Sequence, residues 1–217
     1  MPIRLSTHAR LVHFLSNDGL RLEGRYTPGA ADRAVVLCHP HPLHQGSMLT
    51  PVIMAAEQAF QEAGWTTLAF NFRGVGGSAG RHGHGRDEVA DVEGGLALLA
   101  KELGGPVPLQ AICGFSFGSY VGGVVAARDP RVHAYLGIAP VLNRYDYTFL
   151  ESAACRIALI VPTHDEFSDL EKINALTASL PRSPWIRFVE TDHLFRSAWQ
   201  ILPIACRDAV AWIASAR

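Results

Sequence analysis

The pentapeptide Gly114-Phe115-Ser116-Phe117-Gly118 places a serine between two glycines, where an apolar run ends and a helical pattern begins. A serine hydroxyl is a weak nucleophile, and it becomes reactive when it is presented to a general base. A strand–turn–helix segment of the G-x-S-x-G type supplies that geometry, because glycine leaves room where side chains would collide. We therefore predict that Ser116 is a catalytic nucleophile.

A general base for Ser116 is expected from a histidine that follows both the nucleophile and the acid along the chain. Three histidines follow the serine: His133, His164 and His193. His133 precedes a predicted strand and so lies at the wrong end of that strand. His164 precedes the acidic cluster at 165–171, so a base at this position could use only acids upstream of that cluster. His193 follows the acidic cluster at 165–171 and precedes the last predicted helix. We predict that His193 is the base.

The third member of such a triad is a carboxylate that accepts a hydrogen bond from the imidazole and favours the imidazolium formed during attack. It is expected where the predicted strand at 157–161 ends, and Asp165 is the first acid after that strand. We predict Asp165 as this acid. Glu166, Asp169 and Asp146 remain alternatives, because they follow the same strand or the strand before it.

Two backbone N–H groups are expected to stabilise the negative charge that develops on the carbonyl oxygen. One belongs to Phe117, because the first N–H groups of a helix lack carbonyl partners. The other is expected from the loop that follows the predicted strand at 34–38, where the sequence is His-Pro-His-Pro-Leu-His-Gln-Gly. Its prolines have no N–H, and each disfavours helix at the preceding residue, which stiffens the loop. We predict the His41 N–H as the second donor, in preference to that of Leu43.

Clustered histidines and a glycine-rich segment suggest two other kinds of site. The histidines concerned are His39, His41, His44, His82 and His84. No cysteine or carboxylate set accompanies them at ligand spacing, so we predict that they line or brace the site and that no metal is bound. The segment at 71–78 lacks the Lys-Ser/Thr of a P-loop and does not match the dinucleotide fingerprint. We therefore predict no cofactor.

The elements that must position these residues alternate along the chain. Runs at 11–15 and 20–26 flank an Asp-Gly turn and predict an antiparallel hairpin. Beyond it, uniformly apolar runs predict buried strands, and apolar residues spaced by three and four predict helices. The strands are predicted at 34–38, 66–70, 109–113, 134–138, 157–161 and 185–189, and the helices at 51–63, 87–103, 117–128, 169–180 and 197–214. This alternation predicts an α/β fold with a parallel sheet.

The composition is that of a compact globular protein. Of the 217 residues, 48% are hydrophobic and 18% charged, with a formal net charge of −1. The length predicts a single domain spanning 1–217, and the charge balance argues against a nucleic-acid partner. No run is long and apolar enough to span a membrane, and the first eight residues lack the apolar core of a secretion signal. Without a C-x-x-C pair, the four cysteines are expected to be buried thiols of a cytoplasmic protein.

Four segments occur in an order that is typical of one protein family. They are 39–42, 71–78, 114–118 and 192–195. Together they resemble the small bacterial α/β-hydrolases of the dienelactone-hydrolase-like, carboxylesterase-like group, over about residues 20–213. The resemblance implies a mostly parallel sheet of about eight strands with helices on both faces, and a triad of Ser116, Asp165 and His193. The turn at 162–166 departs from the family pattern, because it lacks the glycine of a His-Gly-Asp-like sequence, and this leaves the register of the acid open.

Together these observations predict a serine hydrolase that cleaves a small carboxylic ester, or a related acyl bond, through an acyl-enzyme. An acyltransferase that uses the same site and a non-catalytic binding protein on a hydrolase fold remain alternatives. Residues 139–156, between two predicted strands, are too few for a large lid, so the site is expected to be open. The expected partner is a small ester or acyl substrate, and a homodimer remains a hypothesis.

Overall fold

A computed structural model describes residues 6–215 and contains one eight-stranded sheet. The strands are β1 (Arg10–Leu15), β2 (Arg21–Thr27), β3 (Ala30–Cys38), β4 (Trp65–Asn71), β5 (Leu109–Phe115), β6 (Val132–Ile138), β7 (Arg156–Pro162) and β8 (Trp185–Val189). Their order across the sheet is β1-β2-β4-β3-β5-β6-β7-β8. The strands β3 to β8 run parallel to one another, and β1 and β2 form the predicted antiparallel hairpin at one edge.

Within residues 6–215, five α-helices connect or follow the parallel strands. They are α1 (Pro51–Glu62), α2 (Glu88–Glu102), α3 (Phe117–Arg128), α4 (Leu170–Ser179) and α5 (Leu202–Ala214). Short 3-10 helices at Pro42–His44 and Thr148–Ser152 lie in the loops after β3 and β6. The loop after β6 contains no lid domain, as expected from its length.

The central strands of the sheet are buried on both faces, which explains why they are mostly apolar. In β3, Val35 and Leu37 face the layer that contains α1 and α5, whereas Val36 and Cys38 face the layer of α2, α3 and α4. All four side chains are fully buried. Such a strand cannot show the alternation of a half-exposed strand, because neither face meets water.

The strand order reverses direction between β3 and β5. From β3 the chain first moves to β4 on one side and then to β5 on the other side. The helices that follow β3 and β5 therefore cover opposite faces, and a crevice opens at the carboxyl ends of these two strands. The loop at 39–46, named here the His-Pro loop, and the serine at 116 both start at this crevice.

The α/β architecture and the eight strands confirm the prediction from sequence. The two strands of the hairpin and the first four helices begin within one residue of their predicted starts. The predicted start of the last helix was wrong. It begins at Leu202 rather than at 197, because Pro203 occupies its first turn. A proline in the interior would clash with the carbonyl four residues earlier, so the helix cannot extend upstream past it.

Two further sequence expectations concern burial and membranes. All four cysteines are buried and unpaired, as predicted. Within residues 6–215, no helix combines the length and apolar character needed to cross a bilayer. The first five residues, part of the segment in which no secretion signal is expected, lie outside the described residues.

Candidate active site

Ser116 occupies a sharp turn between the end of β5 and the start of α3. Its backbone has φ 55° and ψ −120°, a strained conformation for a residue with a side chain. The turn depends on its two glycines. A Cβ atom on Gly114 would lie 2.2 Å from the Gly118 carbonyl oxygen, and one on Gly118 would lie 2.1 Å from the Cys38 carbonyl oxygen. Gly114 therefore allows the turn to close on itself, and Gly118 allows it to pack directly against the end of β3.

The structure brings Ser116, His193 and Asp165 into one hydrogen-bonded chain. His193 Nε2 lies 2.9 Å from Ser116 Oγ, and His193 Nδ1 lies 2.7 Å from Asp165 Oδ2. Because a carboxylate only accepts, Nδ1 carries the proton and Nε2 is free to accept the serine proton. The Asp165 side chain is fully buried and that of His193 is 12% exposed. These three residues come from the loops after β5, β7 and β8, at the same edge of the sheet.

The alternative acids have other positions or partners. Asp169 caps the start of α4 through the Glu171 N–H, and the exposed Asp146 accepts hydrogen bonds from Thr148. Glu166 is exposed at the wall of the crevice. In each case the carboxylate does not contact His193, so the geometry favours Asp165 among the four candidates.

The other two histidines that follow Ser116 along the chain, His133 and His164, do not hydrogen-bond to it. His133 lies near the amino ends of the parallel strands, at the start of β6, where its Nδ1 accepts the Gln110 N–H. His164 is exposed at the wall of the crevice, beside the acid. The structure therefore brings His193 alone of these three to Ser116.

Two phenylalanines orient the imidazole, and sequence analysis did not single out either for this role. The Phe115 ring stacks on His193 at a centroid distance of 5.3 Å, and the Phe167 ring meets it edge-on at 4.9 Å. The Phe167 N–H also donates to Asp165 Oδ1 at 2.8 Å. A backbone bond to the residue two positions back is a common use of aspartate in turns, so this contact has a local sequence signal. The ring contacts have none, because they join segments that are remote along the chain.

The His-Pro loop forms part of the wall of the crevice that Ser116 and His193 also line. His41 is extended, with φ −54° and ψ 123°, as expected before a proline. Its ring nitrogen Nδ1 accepts the Leu43 N–H at 3.2 Å. Leu43, the alternative donor, therefore has its N–H engaged within the loop. Phe117 is the first residue of α3, so no preceding helical turn offers its N–H a carbonyl.

An open cavity of about 1010 Å³ surrounds Ser116. The His-Pro loop and the start of α1 form one wall, and the loops after β6, β7 and β8 form the others. Its lining includes Pro40, His41, Leu49, Ser116, Phe117, Val141, Arg144, Tyr145, Glu166, Phe167, His193 and Leu194. Tyr145 and Arg144 line the site, whereas Tyr147 is buried.

Four of the five histidines considered as metal ligands, His41, His44, His82 and His84, pack against one another. The His41 ring lies 4.7 Å from that of His82 and 4.9 Å from Phe117, measured between centroids. His82 Nδ1 lies 2.8 Å from the buried carboxylate of Glu88. Burial and the neighbouring His82 lower the pKa of His41 to about 4. Among residues 6–215, no three His, Cys, Asp or Glu side chains are arranged to hold a metal ion.

The glycine-rich segment at 71–78 braces the His-Pro loop and the strand beside it. Asn71 accepts the Met48 N–H at 2.9 Å, and the Phe72 N–H donates to His39 Nε2 at 3.0 Å. The buried Arg73 pairs with Asp91, with Nη2 at 2.7 Å from Oδ1. The segment is thus fixed to its surroundings by side chains and by its own backbone.

Comparison with known proteins begins with sequence. No protein-family model matches the chain. An uncharacterized protein of Rickettsia prowazekii (strain Madrid E) is 37% identical over 152 residues, covering 67% of this chain. The match spans 62% of that protein's length, so this chain corresponds to less than two thirds of it.

Solved structures match the fold over nearly the whole chain. A protein of unknown function from Agrobacterium tumefaciens, described as an α/β hydrolase, is 29% identical with a TM-score of 0.86, covering 93% of this chain and 95% of its own. An α/β serine hydrolase without a lid from Xanthomonas campestris is 26% identical with a TM-score of 0.84 over the full length of both chains. An α/β serine hydrolase homologue from Coxiella burnetii is 26% identical with a TM-score of 0.82, covering 95% and 99% of the two chains.

Proposed function

The chain belongs to the α/β-hydrolase superfamily, and from that premise we propose that it is a serine hydrolase that cleaves a carboxylic ester through an acyl-enzyme. Ser116 is the nucleophile, His193 the general base and acid, and Asp165 the carboxylate that orients the imidazole. The observation that carries the proposal is the hydrogen-bonded chain from Ser116 Oγ through His193 to Asp165, with distances of 2.9 and 2.7 Å.

In the first half of the reaction, Ser116 Oγ attacks the ester carbonyl carbon while its proton moves to His193 Nε2. Asp165 stabilises the imidazolium through the hydrogen bond at Nδ1. The tetrahedral oxyanion accepts hydrogen bonds from the N–H groups of His41 and Phe117. In such sites each donor stabilises the transition state by about 3–4 kcal/mol. When the intermediate collapses, the bond to the leaving oxygen breaks and that oxygen takes the proton from Nε2.

In the second half, water attacks the acyl-enzyme and gives a proton to His193 Nε2. Collapse of the second tetrahedral intermediate releases the carboxylic acid, and the proton returns from Nε2 to Ser116 Oγ. The crevice is open to solvent and no part of residues 6–215 covers it as a lid, so water reaches the acyl-enzyme without a conformational change. This openness favours hydrolysis over transfer of the acyl group to another acceptor, which benefits from exclusion of water.

The lining of the cavity favours a substrate with an apolar part. Phe117 and Tyr145 form an aromatic wall beside the nucleophile, and Tyr145 stacks on Tyr120 at a centroid distance of 4.3 Å. Leu49 and Leu194 lie at the mouth and remain exposed. Short-chain and medium-chain esters are therefore suitable first substrates.

The test is turnover of p-nitrophenyl acetate and butyrate by the wild type and by Ser116→Ala. We expect saturable turnover by the wild type, and loss of at least about 1000-fold in kcat in Ser116→Ala. Ser168→Ala is the matched control, because Ser168 Oγ is buried beside the acid and makes no hydrogen bond among the described residues. Its kcat should stay near that of the wild type. Wild-type turnover in Ser116→Ala, or a wild type that a fluorophosphonate probe does not label, would refute the proposal.

A further inference from the structure

His39, the first residue of the His-Pro loop, is fully buried and makes two hydrogen bonds. Its Nδ1 lies 2.6 Å from the carbonyl oxygen of Pro40, and its Nε2 accepts the Phe72 N–H at 3.0 Å. A carbonyl can only accept and a backbone N–H can only donate. Both bonds therefore form together only in the neutral ring with its proton on Nδ1.

The Pro40 carbonyl belongs to the same peptide group as the His41 N–H. That group is planar and trans, since the described residues contain no cis peptide bond. In a trans peptide the C=O and the N–H point in opposite directions. The bond from His39 holds the carbonyl towards the protein interior, so the His41 N–H is directed the other way, on the side where Pro40 and His41 line the cavity with Ser116.

The same carbonyl is enclosed from a second direction by the end of the loop. A Cβ atom on Gly46 would lie 2.1 Å from the Pro40 oxygen, so the glycine backbone packs directly against it. The His39 ring in turn packs edge-on against Phe72, with centroids 4.8 Å apart. The orientation of this one peptide group is thus set by a buried side chain and by close packing.

We propose that His39 is a positioning residue, which aims the His41 N–H at the developing oxyanion by holding the Pro40 carbonyl, and that it acts in the neutral Nδ1–H form. This inference rests on the proposed function. His39 does not touch the substrate. It acts through one peptide group, and its effect is confined to the transition state, because only there does the carbonyl oxygen become an anion.

Burial supports the required protonation state. It lowers the pKa of His39 from 6.5 to about 4, an effect to which the nearby His41 adds and which the Pro40 carbonyl opposes. The ring is therefore neutral at the pH of ordinary assays, and both hydrogen bonds are kept.

Two variants separate the two bonds of His39. The amide nitrogen of asparagine reaches the position of a histidine Nδ1, so His39→Asn keeps a donor for the Pro40 carbonyl. The amide oxygen of glutamine reaches the position of Nε2, so His39→Gln keeps an acceptor for the Phe72 N–H and loses the donor. Both variants lose the same ring packing, and we expect similar decreases in Tm.

The kinetic readout is kcat and KM for p-nitrophenyl butyrate. We expect His39→Asn to stay within about 10-fold of the wild-type kcat, and His39→Gln to lose about 100-fold in kcat with KM nearly unchanged, as for loss of one oxyanion donor. Equal losses in both variants, full activity in His39→Gln, or an effect on KM alone would overturn the inference. If Ser116→Ala keeps its turnover, the proposed function fails and this inference fails with it. If Ser116→Ala loses its turnover but the two His39 variants lose kcat equally, only this inference fails. The two failures are therefore distinguishable.

A spectroscopic measurement on the wild type keeps the inference testable if a variant does not fold. Nitrogen chemical shifts of a histidine-labelled sample distinguish a protonated Nδ1 from an unprotonated one. We expect His39 to show a protonated Nδ1 and an unprotonated Nε2 at pH 7. A proton on Nε2, or on both nitrogens, would overturn the inference.

Discussion

Replacement of Gly46 by alanine tests the His-Pro loop with the smallest available change. The added Cβ atom would lie 2.1 Å from the Pro40 carbonyl oxygen and 2.8 Å from that of His41. Cβ contacts under 3.0 Å essentially do not occur, so the loop must move by about 0.9 Å in this close-packed region. A misplacement of about 1 Å costs on the order of 100-fold in rate. We expect kcat to fall about 100-fold, with little change in KM.

Gly29→Ala is the matched control for this variant. A Cβ atom on Gly29 would lie 2.4 Å from the Trp65 carbonyl carbon. Gly29 lies between β2 and β3, at the amino end of β3 and therefore far from the carboxyl ends where Ser116 lies. Neither glycine has a positive φ, so both substitutions act through steric contact rather than through backbone strain. Tm, kcat and KM for p-nitrophenyl butyrate are measured on both variants. We expect both to lose stability and only Gly46→Ala to lose kcat.

The comparison between the two glycine variants decides the outcome. If Gly46→Ala keeps a kcat within about threefold of Gly29→Ala, the loop either absorbs the displacement or does not contribute a donor, and the reasoning about the His41 N–H is refuted. If both variants lose kcat to the same extent, the loss reflects general destabilisation and the reasoning fails as well.

Three other predictions follow from buried polar contacts. Asp165→Asn should lower kcat by about 10³–10⁴-fold because the amide disturbs the tautomer of the imidazole, whereas Asp146→Asn should leave kcat nearly unchanged; kinetics with one ester tests both. Because burial lowers the pKa of His39 to about 4, the free energy of unfolding should fall by up to about 3 kcal/mol between pH 6.5 and 4, and His39→Asn should remove that part in urea titrations. Asp91→Asn should lower the free energy of unfolding by about 1–3 kcal/mol, since it weakens the hydrogen bonds to the buried Arg73, which keeps Asp18 as an ion-pair partner; thermal melts that match the wild type would contradict this.

Local patterns in the sequence predicted most of the architecture. Each strand of the parallel sheet is a short apolar run, and each helix has its own apolar spacing, so these elements are determined by residues that are neighbours along the chain. The glycines around Ser116 made the strand–turn–helix segment recognisable for the same reason. The last helix began later than predicted, although Pro203 was visible in the sequence, because its apolar pattern extends upstream of the proline.

The choice among acids needed the tertiary structure. Asp165, Glu166 and Asp169 lie within five residues of one another, and their local sequences do not distinguish them. The bend of the loop after β7 decides which carboxylate faces His193. Backbone bonds fix that bend, from the Thr163 N–H to Val189 at the end of β8 and from the His164 N–H to Thr191 in the loop after it. Such bonds join residues that are about 26 positions apart, beyond the range of any local pattern.

The sequence by itself determined the alternation of strands and helices, the nucleophile turn and the order of the candidate triad, because these depend on residue type and short-range spacing. Only the tertiary structure decided which acid meets the imidazole, that Phe115 and Phe167 hold the ring, and that His39 holds the Pro40 carbonyl. These contacts arise where loops from separate strands meet at one edge of the sheet. Their geometry is set by how the layers pack, which no segment of the chain encodes alone.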